Sequence, residues 1–420
     1  MKRRVHWVAL APLFFLVLTV VACRPQEGPP GPVGPAGAPG PVGPPGPAGE
    51  DANAFREFVG SEKCGDCHDE IYAAFLESGH PYPLTSVENG AAPLLPRDEE
   101  TGGIPAPPEG YEWSGVSYVV GGYAHKANFL DADGYLITGE NAQYNYAFER
   151  IDAEAGWVPF RAGEERLPYD CGACHTTGYQ PQGHQDGLPG ITGSWVAPGV
   201  QCEACHGPGS LHATNPQGIA MAVDRSAQLC ADCHAHSPAA VVAAAAPFAA
   251  NEQQASELFN SRHFALSCVT CHDPHAGATA AAANDGSNQP ACESCHFQKT
   301  VSKNRRHGTL ACIDCHMAPL VQAAWGDAEL HIADMRSHLF AINPDPEAAQ
   351  FGEEGQVMPY LTLTYACQQC HNDEFAVARD LETLAEMAQD YHSLPTPTPT
   401  PSPTPAAADE TPAPTATPTS

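Results

Sequence analysis

Positive charge is what this 420-residue chain most lacks: 19 Lys and Arg stand against 49 Asp and Glu, a formal charge of −30 at pH 7 with His neutral. A polyanion of this kind repels phosphate backbones and anionic headgroups, which excludes nucleic acid as a partner. A long apolar run is also missing. The best candidate, Trp7 to Val21, is too short for a finished membrane span and follows Lys2, Arg3 and Arg4, the layout of an export signal. Ordinary globular composition is absent too, since only 16% of residues are charged while Gly and Pro number 38 and 42.

The Gly and Pro excess gathers at the ends. Val20-Val21-Ala22-Cys23 resembles a bacterial lipobox, so residues 1–22 are expected to be a lipoprotein signal and 23–27 a lipidated N-terminus, with Cys23 acylated and membrane attachment through its acyl chains. From Gly28 to Gly49 every third residue is glycine, a collagen-like Gly-X-Y tract. Two readings stand side by side there: a homotrimer wound through the tract, or a single-chain polyproline-II spacer. Residues 394–420 alternate Pro with Thr or Ser and bury nothing, a disordered solvated tail.

Between these tails, residues 55–393 read as one domain, mainly irregular with short α-helices. Helices are expected over Asp69 to Glu77 and Arg379 to His392 from apolar spacings of three and four. The region 111–160 has strand-like Val116 to Val120 and Tyr135 to Thr138 around the turn chemistry of Asp131-Ala132-Asp133-Gly134, so a small β hairpin or sheet is expected there. Ala-rich patches at 239–250 and 278–283 read as linkers or surface helices.

No cysteine of this domain is spare. Sixteen of the 17 cysteines fall into eight copies of Cys-X-X-Cys-His, leaving only Cys23. The copies are Cys64/Cys67/His68, Cys171/Cys174/His175, Cys202/Cys205/His206, Cys230/Cys233/His234, Cys268/Cys271/His272, Cys292/Cys295/His296, Cys312/Cys315/His316 and Cys367/Cys370/His371. We number them motifs 1 to 8. Two thiols three positions apart can each form a thioether to one haem vinyl group, and the next residue then lies under the iron as proximal ligand. Zinc knuckles, redox dithiols and disulfides need no histidine after every pair. Eight covalent haem c groups are therefore expected, with their stacked faces supplying the apolar interior.

The sixth ligand decides whether a haem carries electrons or reacts. Of the 20 histidines, eleven lie outside both the motifs and the signal. His80, His212, His263, His275, His307 and His338 are the leading distal candidates, followed by His236, His331 and His392, with His125 and His184 behind them. No Cys-X-X-Cys-Lys is present, and no catalytic residue is assigned.

Several segments resemble the cytochrome c-554 class of multihaem cytochromes. They are Cys64-Gly-Asp-Cys-His68 with Ser78-Gly79-His80-Pro81, Tyr169-Asp170-Cys171-Gly-Ala-Cys174-His175-Thr176-Thr177-Gly178, and Gly199 to His212 around motif 3. Cys271-His272-Asp273-Pro274-His275 and Arg336-Ser337-His338-Leu339-Phe340 are similar to segments of the wider superfamily. The resemblance spans about 59–392 and implies His80, His212 and His275 as distal ligands, but eight motifs exceed the four of the founding members. Three roles follow as expectations. The first is extracytoplasmic electron transfer at the cell envelope, between membrane quinol-linked or periplasmic redox proteins and an external acceptor or donor. The second is an oxidoreductase of nitrogen or sulfur compounds with one five-coordinate haem, and the third a subunit of a conductive filament.

Overall fold

The computed structural model describes residues 56–392 apart from 97, 236–240, 278–291, 298–306, 309 and 390. The chain divides into a unit of residues 1–50 and a unit of 51–420, and everything below belongs to the second. The signal, Cys23, the Gly-X-Y tract, the Pro/Thr tail, His236 and the patch 278–283 lie outside the described residues.

A seven-stranded antiparallel sheet occupies the cysteine-free stretch: β1 (Leu84–Ser86), β2 (Val116–Gly121), β3 (Lys126–Asp131), β4 (Tyr135–Leu136), β5 (Gly139–Asn145), β6 (Gly156–Phe160) and β7 (Leu167–Pro168). The path runs β1-β2-β3-β4-β7, with β5 pairing both β3 and β6. The expected turn is present. Asp131 Oδ1 accepts the N–H groups of Asp133 and Tyr135, both at 2.9 Å, and turns β3 into β4. The strand entering that turn is Lys126–Asp131 rather than 116–120, which pairs one position further out.

Successive strand residues face opposite sides, so Phe129 and Leu130 enter different apolar clusters. Val119, Ala127, Phe129 and Tyr146 pack on one face, and Leu84, Tyr118, Leu130, Tyr169 and Trp195 on the other. Two further short strands follow, β8 (Thr176–Thr177) and β9 (Ala197–Pro198), which pair antiparallel.

A second sheet is built from β10 (Ala244–Ala245), β11 (Phe248–Ala250), β12 (Val321–Asp327) and β13 (Ile332–Met335), in that order, with β11 parallel to β12. The Ala-rich patch is thus neither linker nor surface helix over its described part. Val242, Phe248 and Ala249 are buried against Leu320, Val321 and Tyr365, and the small alanine side chains let the strands close on that cluster.

Conventional apolar clusters therefore lie under both sheets, where fully burying a Phe or Leu stabilises by about 1.5–3 kcal/mol. Side chains thus supply part of the apolar interior that was expected from haem faces. The sheets are also joined: Lys126 Nζ donates to Ala323 O at 2.9 Å, Asn145 Nδ2 to Ala324 O at 3.2 Å, and Trp325 Nε1 to Tyr146 O at 2.6 Å. The expected helices form as Asp69–Leu76 and Leu381–Gln389. Among the described residues no helix is long and apolar enough to cross a membrane.

Candidate haem sites

Each motif takes a short helical turn. Motifs 1 to 4 and 7 lie in or against the helices Ser61–Gly65, Gly172–His175, Cys202–His206, Ala227–His234 and Cys312–His316. Motifs 5 and 6 open on the 3-10 turns Cys268–Thr270 and Cys292–Ser294, and motif 8 on the π-helix Thr364–Gln368. The histidine N–H closes back on the first cysteine's carbonyl, at 2.9 Å in motif 1, 2.9 Å in motif 5, 2.8 Å in motif 6 and 3.0 Å in motif 8. One such turn puts positions i, i+3 and i+4 on one face, which is the placement two thioethers and one proximal ligand need.

Seven motif histidines face a second histidine. His68 and His212 have ring centroids 6.4 Å apart, His234 and His80 6.5 Å, and His206 and His275 6.2 Å. His272 and His338 are at 6.1 Å, His296 and His263 at 5.8 Å, His316 and His392 at 5.9 Å, and His371 and His307 at 6.0 Å. Interplanar angles range from 2° to 79°. Attraction between aromatic rings does not select one motif and one non-motif partner seven times over. A metal does: two imidazole nitrogens each about 2 Å from one ion put their ring centroids roughly 6 Å apart, whatever the angle between the planes.

The other ring nitrogens are arranged to match. Nδ1 of His206 lies 2.8 Å from Ala222 O, of His212 2.6 Å from Ile219 O, of His316 2.7 Å from Phe340 O and of His371 3.0 Å from Val377 O. An acceptor on Nδ1 fixes the tautomer and leaves Nε2 for the ion. Burial, seconded by the facing imidazole, holds His80, His263, His272 and His307 below the ordinary histidine range, in the neutral form that ligates.

His175 is the exception. Among the described residues no histidine ring faces it, and its ring neighbour is Tyr169 at 6.3 Å. The Tyr169 hydroxyl, Trp195 Nε1 and His175 Nδ1 are all buried without a hydrogen-bond partner, and Tyr169 packs on Trp195. Such orphaned donors fit a bound group that brings its own acceptors, as haem propionates would. Burial pushes His175 down, partly offset by the nearby Glu252 carboxylate. Of the other histidines, His236 lies outside the described residues; His125 Nδ1 lies 3.4 Å from Asp334, the His331 ring is edge-on to Tyr365, and His184, with Nδ1 2.6 Å from Ile191 O, faces no motif histidine among the described residues.

The thiols are set for attachment rather than for zinc. All sixteen motif cysteines are free of disulfides, and among the described residues no three His, Cys, Asp or Glu groups converge to hold an ion. Burial pushes the Cys171 and Cys315 thiols up to about 11 and Cys367 to about 12, whereas the neighbouring Cys268 thiol draws Cys230 down. Thiols of different motifs are also neighbours. Cys64 lies near Cys202, Cys174 near Cys233, and Cys230 near Cys268. Cys205 lies near Cys230, Cys271 near Cys295, and Cys315 near Cys370, while Cys312 Sγ is 3.8 Å from Glu293 of motif 6. The motifs thus follow one another as 1, 3, 4, 5, 6, 7, 8, with motif 2 beside motif 4.

Cys67 is one of six exposed motif cysteines, with Cys171, Cys205, Cys271, Cys292 and Cys295. Its motif partner Cys64 is instead half-buried against motif 3. The reason is local. The helix Ser61–Gly65 stops two residues short of Cys67, which falls in the turn beyond it with its N–H on Cys64 O at 3.2 Å and the Lys63 ammonium as its charged neighbour. One thioether position of motif 1 therefore lies at the solvent edge of the row.

Sequence reasoning gave no role to the residues inside and around the motifs that hold this arrangement. Glu203, within motif 3, accepts from Val59, Gly60 and Gly209 N–H. Gln369, within motif 8, is fully buried; it takes a bond from Arg150 at 2.7 Å and gives one to Asp314 O of motif 7. Arg336 Nη2 donates to Asp314 Oδ1 at 2.9 Å. A polar residue at a motif's variable position is the one signal that was available.

The family model described as cytochrome c554 and c-prime matches residues 151–207, which contain motifs 2 and 3. This chain is a multihaem c-type cytochrome. No curated protein sequence matches it. Among solved structures, the cytochrome is similar to the Wolinella succinogenes octaheme sulfite reductase MccA, form II, with 17% identity over 80% of this chain and 69% of that one at a TM-score of 0.49. It is also similar to the outer cell wall cytochrome OcwA, with 16% identity over 79% and 86% of the chains at 0.42. An undecaheme cytochrome from the S-layer of Carboxydothermus ferrireducens shows 18% identity over 62% and 51% at 0.39. None of these TM-scores is high enough to decide the fold or role of the cytochrome. Its chemistry is redox chemistry and electron transfer.

Proposed function

We propose that the cytochrome carries eight haem c groups and moves electrons outside the cytoplasm, seven groups being held between two histidines and the eighth, on Cys171, Cys174 and His175, by one. The seven ring pairs at 5.8 to 6.5 Å carry this reading. Haem supplies reversible one-electron chemistry. The chain's residues do the rest. Paired cysteines make attachment permanent, carbonyl acceptors lock the ligand rings, and two imidazoles per iron close it to substrate. The succession of neighbouring thiols supports a line through motifs 1, 3, 4, 5, 6, 7 and 8, along which stacked porphyrins would lie.

The N-terminal signal pattern with Cys23, the Gly-X-Y spacer and the Pro/Thr tail support a redox domain held on a lipid anchor at the outer face of the envelope. Its partners are then a membrane quinol-linked or periplasmic redox protein on one side and an external acceptor or donor on the other.

A second reading rests on His175. A haem open on one face beside motif 4 is placed to exchange electrons with a small nitrogen or sulfur compound, which makes the cytochrome an oxidoreductase fed by the other seven. One set of measurements tests both. Haem quantitation is expected to give eight groups per chain, and paramagnetic resonance with resonance Raman seven low-spin irons and one high-spin iron that binds cyanide. Fewer than eight groups would overturn the octahaem reading. Eight low-spin irons would overturn the open site and leave a pure carrier.

A further inference from the structure

The helix Gln254–Asn260 buries a carboxylate against one of the distal rings. Glu257 is fully buried. Its Oε2 accepts the His338 backbone N–H at 2.6 Å and lies 3.6 Å from His338 Nδ1. Oε1 has no partner, and the buried hydroxyls of Ser256 and Ser337 beside it have none either. Among the described residues no Lys or Arg pairs with Glu257, and burying a carboxylate with no cation beside it is costly. The facing histidines differ in this respect. His212 rests on a neutral carbonyl, and the Asp273 beside His275 is well exposed, so its charge is screened.

A cation that fits is the oxidised iron itself. Ferric iron in a porphyrin dianion carries one net positive charge and ferrous iron none, so a carboxylate behind the axial ring favours the oxidised state. We propose that Glu257 is the positioning and potential-setting residue of the haem on Cys268, Cys271 and His272: it holds His338 on the iron and lowers the reduction potential of this one group. The inference rests on the bis-histidine reading above. It also gives motif 5 a task. Motif 5 lies between motifs 4 and 6, so its potential sets the step between motifs 1 to 4 and motifs 6 to 8.

The test is Glu257→Gln in the full-length, haem-loaded protein, followed by optical redox titration, haem quantitation and paramagnetic resonance. The amide keeps volume and one acceptor but removes the charge. One haem in eight is expected to become about tenfold easier to reduce, which at 59 mV per decade for one electron is about 59 mV, with haem number and low-spin count unchanged. Unchanged midpoints in an intact variant overturn the proposal while leaving the ligand assignment standing. His338→Ala separates the two: a low-spin count that it leaves unaltered sinks the bis-histidine reading instead. Should Glu257→Gln fail to mature, Glu257→Asp is expected to restore eight haems at the wild-type potentials. Failure of both overturns the proposal in favour of a packing role.

Discussion

Removing the Glu203 carboxylate should change the spin state of a haem in a different motif. Glu203 is almost fully buried inside Cys202-Glu203-Ala204-Cys205, and it accepts from Val59 N at 2.9 Å, Gly60 N at 2.9 Å and Gly209 N at 2.7 Å. Those amides belong to the irregular segment entering motif 1 and to the residue before the helix Ser210–Thr214, which carries His212 opposite His68. Leaving a buried N–H unpaired costs about 1–3 kcal/mol, and solvent reaches the half-buried ends of this clasp, so Glu203→Ala should loosen it by about 3 kcal/mol, roughly a hundredfold in a local opening equilibrium. Glu203→Gln keeps one acceptor oxygen and should cost about half as much. His212 then leaves its post for a measurable fraction of the time. The assay is spin quantitation by paramagnetic resonance with amide exchange at Val59, Gly60 and Gly209. The alanine variant should add a second high-spin iron, from motif 1, with faster exchange at all three amides. A wild-type spin count together with wild-type exchange would refute the reasoning.

Gly199 sits at φ 73°, where a Cβ would come 2.0 Å from the Pro81 carbonyl oxygen, and its neighbour Val200 donates to His80 O at 2.8 Å. Gly199→Ala should therefore displace His80 from His234 and convert the motif 4 iron to high spin, whereas alanine at the equally left-handed but open Gly207 should not; equal spectra for the two variants would contradict this. Burial works to raise the Asp334 carboxyl, but His125 and the Ala323 and Trp325 amides outweigh it and hold the group below the ordinary carboxylate range. Because the folded value lies under the unfolded one of about 3.9, its contribution is complete above that pH and fades as the pH falls through the folded value. Asp334→Asn should flatten the acid limb of unfolding followed by Trp325 fluorescence, and an unchanged limb would assign acid sensitivity to other groups.

The local features were legible because they are written in neighbouring residues. Motif spacing, the Asp131 to Gly134 turn and the helices near Asp69–Leu76 and Leu381–Gln389 all follow from periods of three and four or from turn chemistry. Long-range choices were not. Counting histidines cannot tell that His392, beyond the last motif, stands opposite His316 while His331 turns to Tyr365. Nor does the repeated spacing tell Cys64, tucked against motif 3, from Cys67 at the solvent edge. The Ala-rich strands misled for a related reason: alanine's propensity is helical, and only the partner strand at Val321 and the apolar cluster beneath it select the extended form. The buried carboxylates Glu203 and Glu257 look like solvated surface charge until the tertiary fold encloses them.

His80 follows motif 1 but faces motif 4, His275 follows motif 5 but faces motif 3, and His212 follows motif 3 but faces motif 1. With each facing pair holding one iron, as proposed above, the polypeptide would be laced back and forth like a bootlace through eyelets. Motif 2 apart, no one of the first five motifs can be cut out as a self-sufficient unit, because each cut strands a ligand on the far side. Maturation should accordingly be concerted over this half, and a lineage could not shed one of these motifs without first re-threading another.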